Sequence, residues 1–176
     1  MRELAENLSA LSKSLVEAVS RIVRYIKTEI KTDEEYLNIR QSALDTLGTK
    51  KGSCEDINHL FNAICRAINI PVRLALGVSK VGGNWGRHVW SEIFDPQFGW
   101  FPIDLISDPP QIGYADVSHL KILTALDSCE PEIEVDCEYA IKTPPTILVN
   151  HSIFIDRTVI PVRIEIDLEN QNKKQI

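Results

Sequence analysis

The sequence predicts an α+β fold in which a buried helix packs on an antiparallel sheet, with helices before it and added β-strands after it. Three observations predict it. Ile57, Leu60, Phe61, Ile64 and Ile68 recur at steps of three and four, the period of a helix with one buried face. The runs His88 to Phe94 and Trp100 to Asp104 are rich in strand-forming residues, and Asp95-Pro96-Gln97-Phe98-Gly99 between them carries turn residues at both ends. After Leu105, Asp108-Pro109-Pro110 and Thr143-Pro144-Pro145 punctuate a stretch of alternating, strand-like sequence.

At the N-terminus, Leu4, Leu8, Leu11, Leu15, Ala18, Ile22 and Tyr25 alternate at four and three, and Val19, Val23, Ile26 and Ile30 widen the apolar face. A single helix over residues 3–30 would span about 42 Å at 1.5 Å per residue, longer than a small domain. Either it breaks, or its first half protrudes and serves for self-association or attachment to another domain. Asp33 to Leu47 reads as a polar helical stretch leading to Gly48.

The next helix begins at or beside Cys54. Glu55 and Asp56 place acids in its first turn, where the helix dipole favours them. It should stop near Asn69, which tolerates a left-handed backbone, because Pro71 cannot continue it. Free N–H groups and the positive dipole end there favour a thiolate and can donate to an oxyanion. Cys65, three turns further along the same face, belongs to the core.

If the following hairpin is symmetric about Pro96, Phe94 faces Phe98, Glu92 faces Trp100 and His88 faces Asp104. Opposed Cβ atoms lie roughly 4.5–5.5 Å apart, within reach of an imidazole–carboxylate hydrogen bond. A register shift of two would weaken that contact and keep the face, and a shift of one would destroy it. Trp90 and Trp100 share the face and can keep water from the pair. Cys54, His88 and Asp104 thus supply a nucleophile, a base to activate it and a group to orient the base.

The C-terminal third reads as β structure. Glu130, Glu132, Glu134, Asp136 and Glu138 alternate with Ile133, Val135 and Cys137, as in an edge strand with a solvated acidic face. Thr146 to Ile155 and Thr158 to Leu168 form a hairpin around Asp156-Arg157. The expected organisation is residues 1–107 as helical N-terminus plus catalytic core, and 108–176 as a β extension of the same domain. His59, His119 and His151 read as surface or structural residues.

Nineteen basic against twenty-five acidic residues in 176 give a net charge of −6, which argues against nucleic acid or an anionic membrane as partner. No apolar run approaches the length of a membrane span, and Met1 to Glu6 lacks the apolar core of a signal peptide, so a cytoplasmic location is expected. The four cysteines show no metal-ligand spacing, and neither a metal nor a cofactor is expected. Cys129 and Cys137 could bridge a loop, although a cytosolic chain would keep them reduced.

The run Gly52-Ser53-Cys54-Glu55-Asp56, followed by Leu60-Phe61, Arg66-Ala67-Ile68-Asn69-Ile70-Pro71-Val72-Arg73, Gly77, His88-Val89-Trp90 and Gly99-Trp100…Asp104, resembles the transglutaminase-like core over about residues 20–105. That family is similar in fold to papain-type cysteine peptidases. The resemblance implies Cys54 as nucleophile, His88 as general base and acid, Asp104 as orienter and Arg73 as a structural residue. Asn69 stands in place of a usual glycine, Leu105 in place of a frequent proline, and Arg87 in place of a small residue, where an inward cation would disfavour a protonated His88.

The expected chemistry is acyl transfer through a thioester on an amide bond of a peptide or protein, with the Cys54 N–H in the oxyanion site. Trp85 is a candidate for the second oxyanion donor, and Trp90 is the other candidate for substrate contact. Water as acceptor gives a peptidase or amidase, and a primary amine gives a transglutaminase. Hydrolysis is favoured because water is abundant and no amine-binding acid can be named. The rival from another class is a non-catalytic binding or assembly module with the same fold.

Overall fold

Ser14 decides how the chain begins. Its hydroxyl accepts the Glu17 N–H at 3.2 Å and caps a helix, α2 (Leu15–Glu29), separate from α1 (Arg2–Ser9). Ser9 Oγ donates back to the Ala5 carbonyl at 2.8 Å as α1 ends. Serine side chains compete for backbone partners here, so the apolar seam over 3–30 is split between two helices. In the computed structural model, residues 1–81 and 84–126 are described, together with the backbone of strands 135–139, 146–155 and 158–167. α1 lies against α2 and the later helix α4 (Cys54–Ala67), with Ala5 fully buried.

Residues 33–47 do not form one helix. Strand β1 (Lys31–Thr32) leads to a 3-10 turn at Glu34–Tyr36, where Asp33 Oδ1 accepts the Glu35 N–H at 3.1 Å. Ser42 and Asp45 then form a reciprocal cap that starts α3 (Ala43–Thr49). Two capping side chains within ten residues each nucleate their own turn, which a continuous helix would leave without a role. β2 (Lys51–Gly52) pairs parallel with β1 and delivers the chain to α4 (Cys54–Ala67). Asn69 takes the left-handed backbone, φ 61°, that turns the chain after α4.

Five strands follow: β3 (Val72–Val81), β4 (Asn84–Asp95), β5 (Gly99–Asp104), β6 (Gln111–Ile112) and β7 (His119–Ala125). They form one antiparallel sheet in the order β6-β5-β4-β3-β7. The core lies between helices and sheet. Val19, Ile22, Val23 and Ile26 of α2 meet Ile57, Leu60, Phe61 and Ile64 of α4, over Val72, Ile93 and Ile103 of the strands. Burial of these side chains supplies the non-directional part of the stability, roughly 1.5–3 kcal/mol each.

The β4–β5 hairpin departs from the expected register. Asp95 faces Gly99, Phe94 faces Trp100 and Glu92 faces Pro102, so the turn is centred on Gln97, not Pro96. Asp95 Oδ1 accepts the N–H groups of Gln97 (2.7 Å) and Phe98 (3.1 Å), and Gly99 has φ 78°, which closes the turn one residue later. Moving the centre by one residue moves the register by two, so His88 and Asp104 stay on one face as diagonal neighbours.

Two compact units divide at Ser128/Cys129, beyond the change of composition at 107/108. β6 and β7 belong to the first unit because they pair with β5 and β3. The second unit is a three-stranded antiparallel sheet, β8 (Val135–Tyr139), β9 (Thr146–Ile155) and β10 (Thr158–Asp167), in the order β10-β9-β8. Ile155 pairs with Thr158, so this is the hairpin around residues 156–157 that the alternation predicts, with β8 at its edge. The Cys129–Cys137 pairing and His151's side chain lie outside the described residues. No helix among the described residues is long and apolar enough to cross a membrane.

Gly77 faces His88 on β4 and Lys121 on β7, and the β3–β7 register shifts between Leu76 and Gly77. A Cβ there would lie 2.0 Å from the Leu120 carbonyl oxygen, backbone that cannot swing aside. Gly77→Ala should therefore destabilise the fold by about 3 kcal/mol in urea unfolding. Gly48→Ala, in the last turn of α3 with nothing within 4 Å of the added carbon, should stabilise it by about 0.5–1 kcal/mol.

Candidate active site

Cys54 is the first residue of α4, and its surroundings are fixed by a closed cap. The Asp56 N–H donates to Ser53 Oγ at 3.2 Å, while Asp56 Oδ2 accepts the Ser53 N–H and hydroxyl, each at 2.8 Å. Asp56 Oδ1 accepts the Gln41 N–H at 3.1 Å. These bonds occupy the buried Asp56 carboxylate as a structural group. The Cys54 and Glu55 amides, at the helix start, have no intrahelical acceptor and remain as donors beside the sulfur.

Asn58 ties this helix turn to the strand carrying the histidine. Its Nδ2 donates to the Cys54 carbonyl at 2.8 Å and to the Val89 carbonyl at 3.0 Å. Ser91 Oγ lies 2.8 Å from both Asn58 Oδ1 and Asn62 Oδ1, its one proton shared between two acceptors. All three side chains are fully buried.

The reacting groups converge. His88 Nε2 lies 3.1 Å from Asp104 Oδ2, and the Cys54 sulfur is near enough to the His88 ring to favour its protonated form. Because Nε2 faces the carboxylate, Nδ1 is the nitrogen presented to the sulfur. Burial alone would push the His88 pKa down, but the Asp104 carboxylate and the Cys54 sulfur outweigh it and raise the ring to about 9. For Asp104, burial pushes upward, yet the His88 ring, the Ser107 hydroxyl and the Ile106 N–H (2.9 Å) hold the carboxyl well below the usual carboxylate range. Burial pushes the Cys65 thiol up, consistent with its place in the core.

The flanking residues sort by strand face. Trp90 is buried, its ring 5.9 Å from His88 at an interplanar angle of 25°, and acts as a packing wall. Trp85, three residues before His88, shares the opposite strand face with Arg87, and its indole N–H has no hydrogen-bond partner among the described residues. Arg87 turns outward to Glu55 (3.5 Å) with 62% of its side chain exposed, so its charge is not aimed at the imidazole. Arg73 pairs with Glu92 at 2.7 Å and lies 4.0 Å from the Trp100 ring centre, so it holds the far part of the sheet face.

One site residue escaped sequence reasoning. His119, read there as surface or structural, has its side chain only 4% exposed and places Nε2 3.0 Å from the same Asp104 Oδ2. Its Nδ1 lies 3.0 Å from Asp116 Oδ1. Its ring is 5.6 Å from His88 and edge-on to Trp90 at 5.4 Å. The only local signal was a strand-like run, His119 to Ala125, after a turn; that this strand joins β3 is a long-range fact. Together His88, Asp104, Asp116 and His119 line a cavity of about 520 Å³.

Sulfur, imidazole and carboxylate in this order can pass a proton between sulfur and ring while the carboxylate holds the ring's charge. The sign of the pH dependence follows from the raised His88 pKa. Its protonated ring stabilises the fold in full below about 6.5 and loses that contribution as pH rises through about 9. The His88 ring protons should titrate near pH 9 by NMR, and Asp104→Asn should move that midpoint down towards 6.5. An unchanged midpoint in the variant would contradict the pairing.

The comparisons with known proteins agree with this fold. A structure of a candidate cysteine protease from Cytophaga hutchinsonii superposes with a TM-score of 0.61 at 21% identity, covering 94% of this chain and 50% of that one. LapG of Legionella pneumophila, in an EGTA-treated form, superposes with a TM-score of 0.53 at 14% identity, covering 70% of this chain and 78% of LapG. At these identities the likeness is one of fold. An uncharacterized protein of Haemophilus influenzae is 32% identical over an alignment covering 34% of this chain, and the chain spans only 22% of that relative's length. The family model of the transglutaminase-like superfamily matches residues 2–105, which hold every element from α1 to Asp104. The chain belongs to the transglutaminase-like superfamily.

Proposed function

We propose that this chain is a cysteine-nucleophile acyl-transfer enzyme that hydrolyses amide bonds of peptides or proteins through a thioester. The observation that carries this reading is the buried His88–Asp104 pair, with the Cys54 sulfur at the start of α4 close enough to act on the His88 ring. His88 holds the proton of the Cys54 sulfur, and the thiolate attacks the amide carbonyl carbon. The carbonyl oxygen, now anionic, takes hydrogen bonds from the Cys54 amide and from a second donor. His88 returns its proton to the leaving amine, and the C–N bond breaks to leave the thioester. Water, deprotonated by His88, then releases the acid and restores the thiol. Asp104 keeps the imidazole in the useful tautomer throughout.

Hydrolysis is favoured over amine transfer because the carboxylate next to the nucleophile, Glu55, is already engaged by Arg87 and is not free to hold an ammonium group. Transglutaminase activity on protein glutamine is the second reading. A purely structural binding module is disfavoured, because burying an ionised Asp–His pair is costly and brings a scaffold no gain. The chain spans half of the Cytophaga hutchinsonii structure, so the substrates of a longer protein belong to this proposal as well.

Iodoacetamide at pH 6 should label Cys54 selectively over Cys65, Cys129 and Cys137, and His88→Ala should cut that rate by about 10²–10³-fold. Slow, equal labelling of every accessible thiol would favour the module. A glutamine peptide offered with and without a primary amine separates the enzyme readings. Cleavage or ammonia release that the amine leaves unchanged indicates hydrolysis, and a cross-linked product indicates the transferase.

A further inference from the structure

We propose that His88, Asp104 and His119 form a binding site for a divalent metal ion of the zinc class, whose occupancy excludes His88 from catalysis. A ring nitrogen of each histidine and one oxygen of Asp104 all lie within 4.8 Å of one another, and the two Nε2–Oδ2 separations are 3.1 and 3.0 Å. A tetrahedral zinc with ligands at about 2.0–2.1 Å holds neighbouring ligand atoms about 3.3 Å apart, so the three atoms need only a small convergence to enclose the ion. Two imidazoles and a carboxylate are a ligand set that zinc accepts with a fourth position left open.

The surroundings supply what a bare cluster would lack. Asp116 Oδ1 accepts the Nδ1 proton of His119 at 3.0 Å, which turns the Nε2 lone pair toward the ion. Asp116 is itself held by Gln111 Nε2 (3.0 Å) and the Ser118 N–H (2.9 Å). Trp90 packs against both imidazoles and restricts their planes. The cavity of about 520 Å³ opens on the same three residues and has room for a metal-bound water. Gln111 lines that cavity, is 9% exposed, and its Oε1 is buried without a partner among the described residues. A water on the fourth position of the ion could donate to it.

Binding is a simple exchange. Any proton carried on either Nε2 leaves to solvent, and two N–metal bonds and one O–metal bond form in place of the contacts to Asp104. Asp104 then no longer orients His88, and the metal-bound ring, whose one remaining proton sits on Nδ1 opposite the sulfur, has no free nitrogen to act as a base. The site stands on its own geometry; only its effect on acyl transfer rests on the proposed function.

The test titrates the chelator-stripped full chain with zinc by calorimetry and with cobalt(II) by visible absorption. The expected result is one equivalent bound, with tetrahedral cobalt bands and no thiolate-to-cobalt charge-transfer band, retained in Cys54→Ala. His119→Gln should weaken zinc binding by at least about 100-fold and Asp116→Asn by about 10-fold. Asp116 is half exposed, so its variant keeps the test open if His119→Gln fails to fold. Zinc should also protect Cys54 from iodoacetamide in the wild type and not in Asp116→Asn at the same concentration. Absence of saturable binding, equal affinity in wild type and Asp116→Asn, or binding lost in Cys54→Ala would overturn the site. A Cys54 that proves unreactive even without metal would sink the acyl-transfer reading and leave the titrations standing.

Discussion

A single buried amide holds the two halves of the site together. Apolar packing between α4 and the sheet is strong but non-directional, and a helix can slide or roll on such a surface by an ångström at little cost. Asn58 removes that freedom. It bonds the carbonyl of the nucleophile's own residue and the carbonyl next to His88, so the sulfur cannot drift from the imidazole without breaking a buried bond. Net gains from such bonds are about 1 kcal/mol each, but a buried carbonyl left unpaired costs about 1–3 kcal/mol, so the arrangement is enforced mainly by the penalty for departing from it. Ser91 and Asn62 extend the same constraint one turn further along α4.

Asp104 is the second organising group, and it is shared. One carboxylate oxygen faces His88 on β4 and His119 on β7, while the Ser107 hydroxyl and the Ile106 amide close its remaining directions. A buried anion this well surrounded remains ionised, and its field favours the protonated form of His88. β5, which ends on Asp104, therefore does more than orient one ring. It joins the nucleophile side of the sheet to a second histidine and to the cavity behind it. The same crowding of nitrogen and oxygen atoms that stabilises an imidazolium can enclose a metal ion, and the two states exclude each other.

Much of this was legible in the sequence, and the limit is physical. Cys54, His88 and Asp104 could be read because each sits in a local signal: a helix start, a strand, and a strand end after a turn. The stop at Asn69 and the hairpin around residues 156–157 were readable for the same reason. The β4–β5 register differs by two residues from a hairpin centred on Pro96, because the Asp95 side chain and the positive φ of Gly99 set the turn centre at Gln97. The seam from Leu4 to Tyr25 hid a break, because Ser14 caps a helix as well as it continues one. Residues 33–47 were misread as helical because Asp33 and Ser42 each start a separate turn. Asn58, Ser91 and His119 were invisible, since their roles depend on which strands meet: β4 under α4, and β7 beside β3.

The coupling between Asn58 and the reactivity of Cys54 is the most direct test. Asn58→Ala removes both bridging bonds without touching sulfur, imidazole or carboxylate, and its cost should be about 2–3 kcal/mol of unfolding free energy. Under conditions where the variant remains folded, the decisive quantity is the alkylation rate of Cys54 at acidic pH relative to wild type. The expected result is a fall of at least about tenfold, because the helix start is released from the strand that carries His88. A variant that loses the stability and keeps the full rate would show that the pair assembles without the bridge.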